Sequence, residues 1–190
     1  MEQREQLSRA LRKIFWGYIF LCFDINLGTI DILPAWIGYI YFSQAINVCI
    51  EKEEESAKLL KSICLILTIY RLIDWFVAML GLEMNILIVS EVFSVVALYF
   101  HFQFLTNLAN IARKYDCPIE NTLLALRTVH TVMMTILTVT MHFSEIEWLS
   151  LMIMVAQVFI TIFICFVIGR FRRMVDDLSE DAFSEVNIEN

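Results

Sequence analysis

Seven ionisable side chains stand inside long apolar stretches of this 190-residue chain: Asp24, Arg71, Asp74, Glu91, His101, Arg127 and His130. Such groups are expensive to bury in hydrocarbon, so they are the first place to look for function. Arg71 and Asp74 are three residues apart, which on a helix lets them pair. Asp24, Arg71, Asp74 and Arg127 balance in charge and form a candidate intramembrane charge network. A closed neutral network serves helix packing, with Arg71 also reaching Asp24 on a neighbouring helix, whereas transport requires it to open.

Glu91 has no basic residue within helical reach in its own apolar run, which suits a proton relay or a water-exposed vestibule. His101 and His130 lie roughly 10–13 Å from the facing ends of two successive runs, so they can meet at similar depth. Glu91, His101 and His130 are therefore the candidate proton or ligand site. No third ligand joins the histidines at helical spacing, and no metal is expected.

Gly17, Asp24 and Asp31 recur every seven residues, and Gly28 lies one turn beyond Asp24. On a continuous helix this makes one small, acidic face turned toward protein rather than lipid. The two carboxylates would be about 10 Å apart along the axis, too far to share one cation unaided. Thr128, Thr131, Thr135, Thr138 and His142 form one polar stripe, and Ser90, Ser94, Ala97 and His101 form a matching small-residue stripe. Both read as packing faces, because Thr hydroxyls can bond back to their own helix.

Motifs for soluble-enzyme chemistry are missing: there is no G-x-S-x-G, no H-E-x-x-H, no phosphate-cradling loop, and only 5 Gly in all. Five cysteines contain no C-x-x-C pair, so neither a disulfide framework nor a zinc site is indicated. No catalytic residue and no cofactor is expected, and the chain leans away from enzyme function.

The elements that hold these residues are apolar runs. Hydrophobic residues make up 59% of the chain, against about 45–50% in a soluble domain. The runs fall at 14–33, 35–50, 59–80, 84–111, 122–143 and 148–169, so the chain is expected to be an all-α membrane protein with six transmembrane helices arranged as three hairpins. Pro34 closes the first run. The second covers only about 24 Å and has a re-entrant hairpin as its rival.

Of the 14 Lys and Arg, all but Arg71 and Arg127 lie in four segments: Arg4 to Lys13, Lys52 to Lys61, Arg113–Lys114, and Arg170 to Arg173. The three intervening turns have none. Lys and Arg stay with cytoplasmic loops, so both termini are placed inside. Residues 1–13, with Leu7, Ala10, Leu11 and Ile14 at helical spacing, read as an amphipathic juxtamembrane segment; 14–170 is the six-helix domain; 171–190 is an acidic cytoplasmic tail, solvated and mostly disordered. The net charge of −7 and the dispersed basic residues leave no footprint for nucleic acid.

Within the first hairpin, Asp24, Asn26, Gly28, Asp31, Leu33, Pro34, Ile37, Gly38, Tyr39 and Ile40 form the pattern D-x-N-x-G-x-x-D-x-L-P-x-x-I-G-Y-I. This resembles a signature of multi-pass membrane proteins of Gram-positive bacteria with no assigned activity. The resemblance covers 17 residues and implies a bacterial plasma-membrane location without carrying over a catalytic residue. Two functions remain expected from the residues themselves. One is a non-enzymatic binding or regulatory membrane subunit that meets the lipid bilayer and a membrane or cytosolic protein partner. The other is a small ion- or proton-linked transporter or channel.

Overall fold

A computed structural model of the chain describes residues 2–22, 26–27, 30–31, 34–50, 54–82, 87–143 and 147–188. Among them are six helices: α1 (Glu2–Cys22), α2 (Ala35–Ala45), α3 (Ala57–Met79), α4 (Leu87–Lys114), α5 (Glu120–Phe143) and α6 (Glu147–Ile188). A wider π turn, Ile46–Ile50, continues α2. Four helices, α3 to α6, are long and apolar enough to cross a membrane. Each contains a long apolar run, which α6 extends through charged residues to Ile188; α2 and its π turn together are shorter, and α1 is polar along its first half.

Successive helices reverse direction, as the cross-helix contacts show. The α1–α2 crossing sets Gly17 against Phe42 and Leu21 against Gly38, an antiparallel register, and stacks Phe20 on Tyr41. Between α3 and α4, Ser56 donates to Asn107 at 2.8 Å and Tyr70 stacks on Phe93 at 3.8 Å, an antiparallel register. Between α4 and α5, Arg127 reaches Thr106 while His130 meets His101. Finally α6 returns along α1: Arg172 donates to Ser8 at 3.3 Å, Cys165 approaches the Phe15 carbonyl at 4.0 Å, and Cys22 approaches the Val158 carbonyl at 3.9 Å.

Two turns are built by the same C-terminal device. At the end of α3, Leu82 N–H bonds Val77 O and Gly81 N–H bonds Ala78 O, with Gly81 at φ +68°. At the end of α4, Cys117 N–H bonds Ala112 O and Asp116 N–H bonds Arg113 O, with Asp116 at φ +52°. This is the Schellman arrangement, which satisfies carbonyls that the helix end would leave open. Pro118 then prevents α4 from continuing. Arg113 bridges to Glu120 across the turn.

Three expectations need correction. The first apolar run is not helical to residue 33: α1 ends at Cys22, and a two-rung antiparallel ladder pairs Asn26 with Asp31 and Leu27 with Ile30. Asn, Gly and Asp in this stretch compete poorly for helix, so the heptad face through Gly17 and Asp31 does not exist. Residues 1–13 are also not separate from the bundle, because α1 is one helix and Leu7, Ala10, Leu11 and Ile14 are buried in the core. Nor does order end at Gly169: α6 runs unbroken to Ile188, with Phe171 and Val175 buried.

The buried core is uneven. Among the described residues, the buried apolar side chains of α3, α4, α5 and α6 cluster in Ala57–Leu67, Ala97–Ala112, Leu123–Leu126 and Ile164–Val175, the half of the bundle that carries the basic segments. The other half, toward the Gly81 turn, is packed more loosely. Outward faces are continuously apolar, with Ile66, Ile69, Ile73 and Phe76 exposed on α3 and Val132, Ile136 and Val139 on α5. Exposed apolar surface of that extent calls for lipid or a partner.

Candidate central cavity

Where the tight half gives way to the loose half, side chains of all six helices surround a partly enclosed cavity of about 430 Å³. Each helix contributes for a reason visible in its packing. Gly17 and Gly38 let α1 and α2 approach until backbone meets side chain, which brings Tyr18 and Tyr39 to the cavity wall. Tyr18 and Tyr39 then join Phe42, Phe100 and His101 in an aromatic cluster with ring centroids 4.9–6.3 Å apart. Such edge-on contacts hold rings in fixed orientations.

From α4 and α5 come His101 and His130, their ring centroids 5.3 Å apart at 60°. They are 5% and 4% exposed. From α3 comes Arg71, which lies 3.6 Å from Asp74 in an i,i+3 ion pair and is 41% exposed, the open side of the site. From α6 come Met154, Gln157, Val158 and Thr161. Thr161 spends its hydroxyl on the Gln157 carbonyl at 3.0 Å, so the Gln157 amide is what α6 offers the cavity.

Three of these lining side chains hold a buried polar atom without a hydrogen-bond partner: Tyr18 Oη, His101 Nδ1 and Gln157 Oε1. Buried polar atoms are nearly always satisfied in native proteins, by protein, water or ligand. Three such atoms in the wall of one cavity mark where that wall is polar. No acid stands among the described lining residues. Among the described residues no group of three His, Cys, Asp or Glu could hold a metal ion.

The residues singled out from sequence are divided rather than united. Arg71 and Asp74 pair, whereas Arg127 takes contacts from α4: its guanidinium lies 4.5 Å over the Phe102 ring and donates to Thr106 at 3.2 Å. Asp24 lies outside the described residues. His101 and His130 come together, but Glu91 is ten residues from His101 on α4, about 15 Å along the axis, half-buried and in electrostatic range of Tyr70. The hydroxyl stripe of α5 bonds back on itself, Thr131 to Arg127 O at 2.8 Å and Thr135 to Thr131 O at 2.9 Å. Ser94 of α4 shares a small groove with Thr135 and Thr138.

Tyr18, Tyr39 and Gln157 were not evident as site residues in the sequence. For Gln157 there was a signal, since it is the sole amide in the run 148–169. For the tyrosines there was none, because an aromatic beside a membrane border reads as an interface anchor. Compared with family models, curated proteins and solved structures, the chain matches none.

Proposed function

We propose that the protein is a non-enzymatic, multi-pass membrane protein of the bacterial plasma membrane that binds a small polar molecule in its central cavity. The observation that carries this reading is the convergence of all six helices on one cavity with three unpartnered polar atoms in its wall. Ligand sites of bundles are built between facing helices in this way, and about 300–1,000 Å³ is their usual size. The resemblance of the Asp24–Ile40 pattern to Gram-positive membrane proteins supports the location.

Six spans with both termini inside is the topology this reading carries. It is supported by the alternation of basic and base-free connections and by the antiparallel run of α6 along α1. A re-entrant α2 would remove one crossing and make α1 and α6 parallel. With the basic end inside, the loosely packed half and the exposed side of Arg71 face outward, so the ligand enters from outside.

A second reading, a small transporter, is favoured by the position of the cavity at mid-depth between a tight half and a loose half, the arrangement alternating access works on. Binding without transport is the better supported of the two, because among the described residues Arg71 and Asp74 remain paired.

Cys22, a cavity-lining residue, provides the test. In a protein whose other four cysteines are replaced, a membrane-impermeant methanethiosulfonate reagent added to intact cells should modify Cys22. Modification only from the cytoplasmic side in inverted vesicles overturns outward access, and none from either side overturns a solvent-reachable cavity. Glu83→Cys and Glu145→Cys should likewise label from outside.

A further inference from the structure

We infer that the molecule this cavity takes is a small organic monocarboxylate with an apolar body, its carboxylate held by Arg71. The inference rests on the cavity reading above and names the ligand class for it.

Among the described lining residues there is one fixed cation and no carboxylate. Asp74 approaches Arg71 Nη1 only to 3.6 Å, longer than the about 2.7–2.9 Å of a charge-assisted hydrogen bond. A guanidinium has five N–H donors in a planar fork that fits a carboxylate in bidentate fashion. Asp74, on the next turn of the same helix, approaches through Nη1 alone and offsets part of the charge of Arg71, whose guanidinium lies 5.8 Å over the Tyr70 ring. A second anion inside the cavity would then share Arg71 with Asp74 and meet no further acid among the described lining residues.

Beyond Arg71 the wall is neutral and mixed. Tyr18, His101 and Gln157 give the wall polar side chains, whose buried Oη, Nδ1 and Oε1 have no partner and would have to turn toward a second polar group on the ligand. Leu21, Met134, Met154 and Val158 supply apolar surface, and methionine adapts to irregular shapes. A dicarboxylate would strand its second charge in that surface, and an amine would find no acid among the described lining residues to pair with.

The test is binding to the full-length protein in detergent, read by thermal shift and by calorimetry. The probes are benzoate and isovalerate, their neutral amides benzamide and isovaleramide, and the cations benzylamine and isopentylamine. The carboxylates should bind about tenfold or more tightly than the amides, the difference between charge-assisted and neutral hydrogen bonds, and the amines should not bind. Arg71→Gln with Asp74→Asn, a neutral polar pair, should reduce carboxylate binding to the amide level. Arg71→Lys should keep part of the preference.

Amides binding as well as carboxylates, with or without the double substitution, overturn the ligand class but leave the cavity reading standing. If none of the six compounds binds, the ligand class falls, and the cavity reading falls with it only if Cys22 is also unmodified from either side. Ala97 lines the cavity, so with the proposal correct Ala97→Trp abolishes binding of every compound.

Discussion

Gly17 and Gly38 face each other across the α1–α2 crossing so closely that a β-carbon on Gly38 would lie 2.8 Å from the Gly17 carbonyl oxygen. No real β-carbon tolerates a backbone oxygen at that distance, and the oxygen cannot swing aside as a side chain can. The contact is what seats Tyr18 and Tyr39 beside His101. It also explains why α2, short as it is, remains docked: small residues let helix backbones approach where no hydrophobic force drives them together.

Gly38→Ala should therefore destabilise the protein by about 1–3 kcal/mol, the cost of overpacking a tight contact. Gly17→Ala meets the Phe42 ring at 2.9 Å as well as the Gly38 carbonyl at 3.1 Å and belongs with it. Gly169→Ala has nothing within 4 Å and should stabilise slightly, up to about 1 kcal/mol, through helix propensity. Melting temperatures in one detergent measure the series. Equal effects at Gly38 and Gly169 would remove the contact from the account.

Much of the helix pattern was legible in the sequence because it rests on local features. Gly81 is punctuation that acts on its own backbone, and the five-residue loop between Lys114 and Glu120 is announced by Pro118, whereas Pro34, read as closing the first run, instead stands at the N-cap of α2. The pairing of Arg71 with Asp74 and the shared depth of His101 and His130 follow from counting helical turns. Other features were hidden because they depend on what a segment packs against. The apolar stripe of residues 7–14 looks the same whether it faces a lipid surface or α6. The ladder after Cys22 replaces helix in a run whose hydropathy alone favours a span. The cavity is a property of six helices together: Arg71, His101, His130 and Gln157 stand out one by one in the sequence, but nothing in it brings them to one wall with Tyr18 and Tyr39.

The α1–α6 register makes a cross-linking prediction. Ser8 and Arg172 are in hydrogen-bond contact, so Ser8→Cys with Arg172→Cys, in a background without native cysteines, should be joined by a short bismaleimide in membranes. Ser8→Cys with Val158→Cys should not, since Val158 lies beside Cys22, at the far end of α1. The reverse result would make the two helices parallel and restore the re-entrant reading of α2.

Asp116 holds a left-handed conformation, φ +52°, which glycine adopts without strain. Asp116→Gly should raise stability by about 0.5–1 kcal/mol, measurable as a higher melting temperature. The neighbouring Cys117 is 5% exposed, and burial followed by the charge of Asp116 raises its thiol above the ordinary range. The reactive species is the thiolate, so at neutral pH a protein with Cys117 as its sole cysteine should react with iodoacetamide more slowly than a free thiol does. The rate should still be climbing at pH values where a free thiol has reached its plateau. Asp116→Gly removes the nearby negative charge and should shift that rise to lower pH. A rate profile matching the free thiol's would contradict the buried placement.

The medium around Arg71 decides how much its pair with Asp74 contributes. Both side chains are about two-fifths exposed, at 41% and 43%, and in water an i,i+3 pair of that kind contributes roughly 0.3–0.5 kcal/mol. Here the neighbouring positions Leu72, Ile73 and Phe76 are exposed and apolar, so the pair borders an apolar face on one side and the open cavity on the other. Loss of one partner then leaves a charge in a poor solvent, which costs about 3–5 kcal/mol when the pair is fully buried. Arg71→Ala should consequently cost clearly more than the aqueous figure in a bilayer, and Arg71→Ala with Asp74→Asn should recover part of the loss. Reversible unfolding in bicelles, compared across the single and double variants, measures both. Full additivity of the two single effects would show that the side chains do not interact, and a single-variant cost at or below 0.5 kcal/mol would place the pair in water.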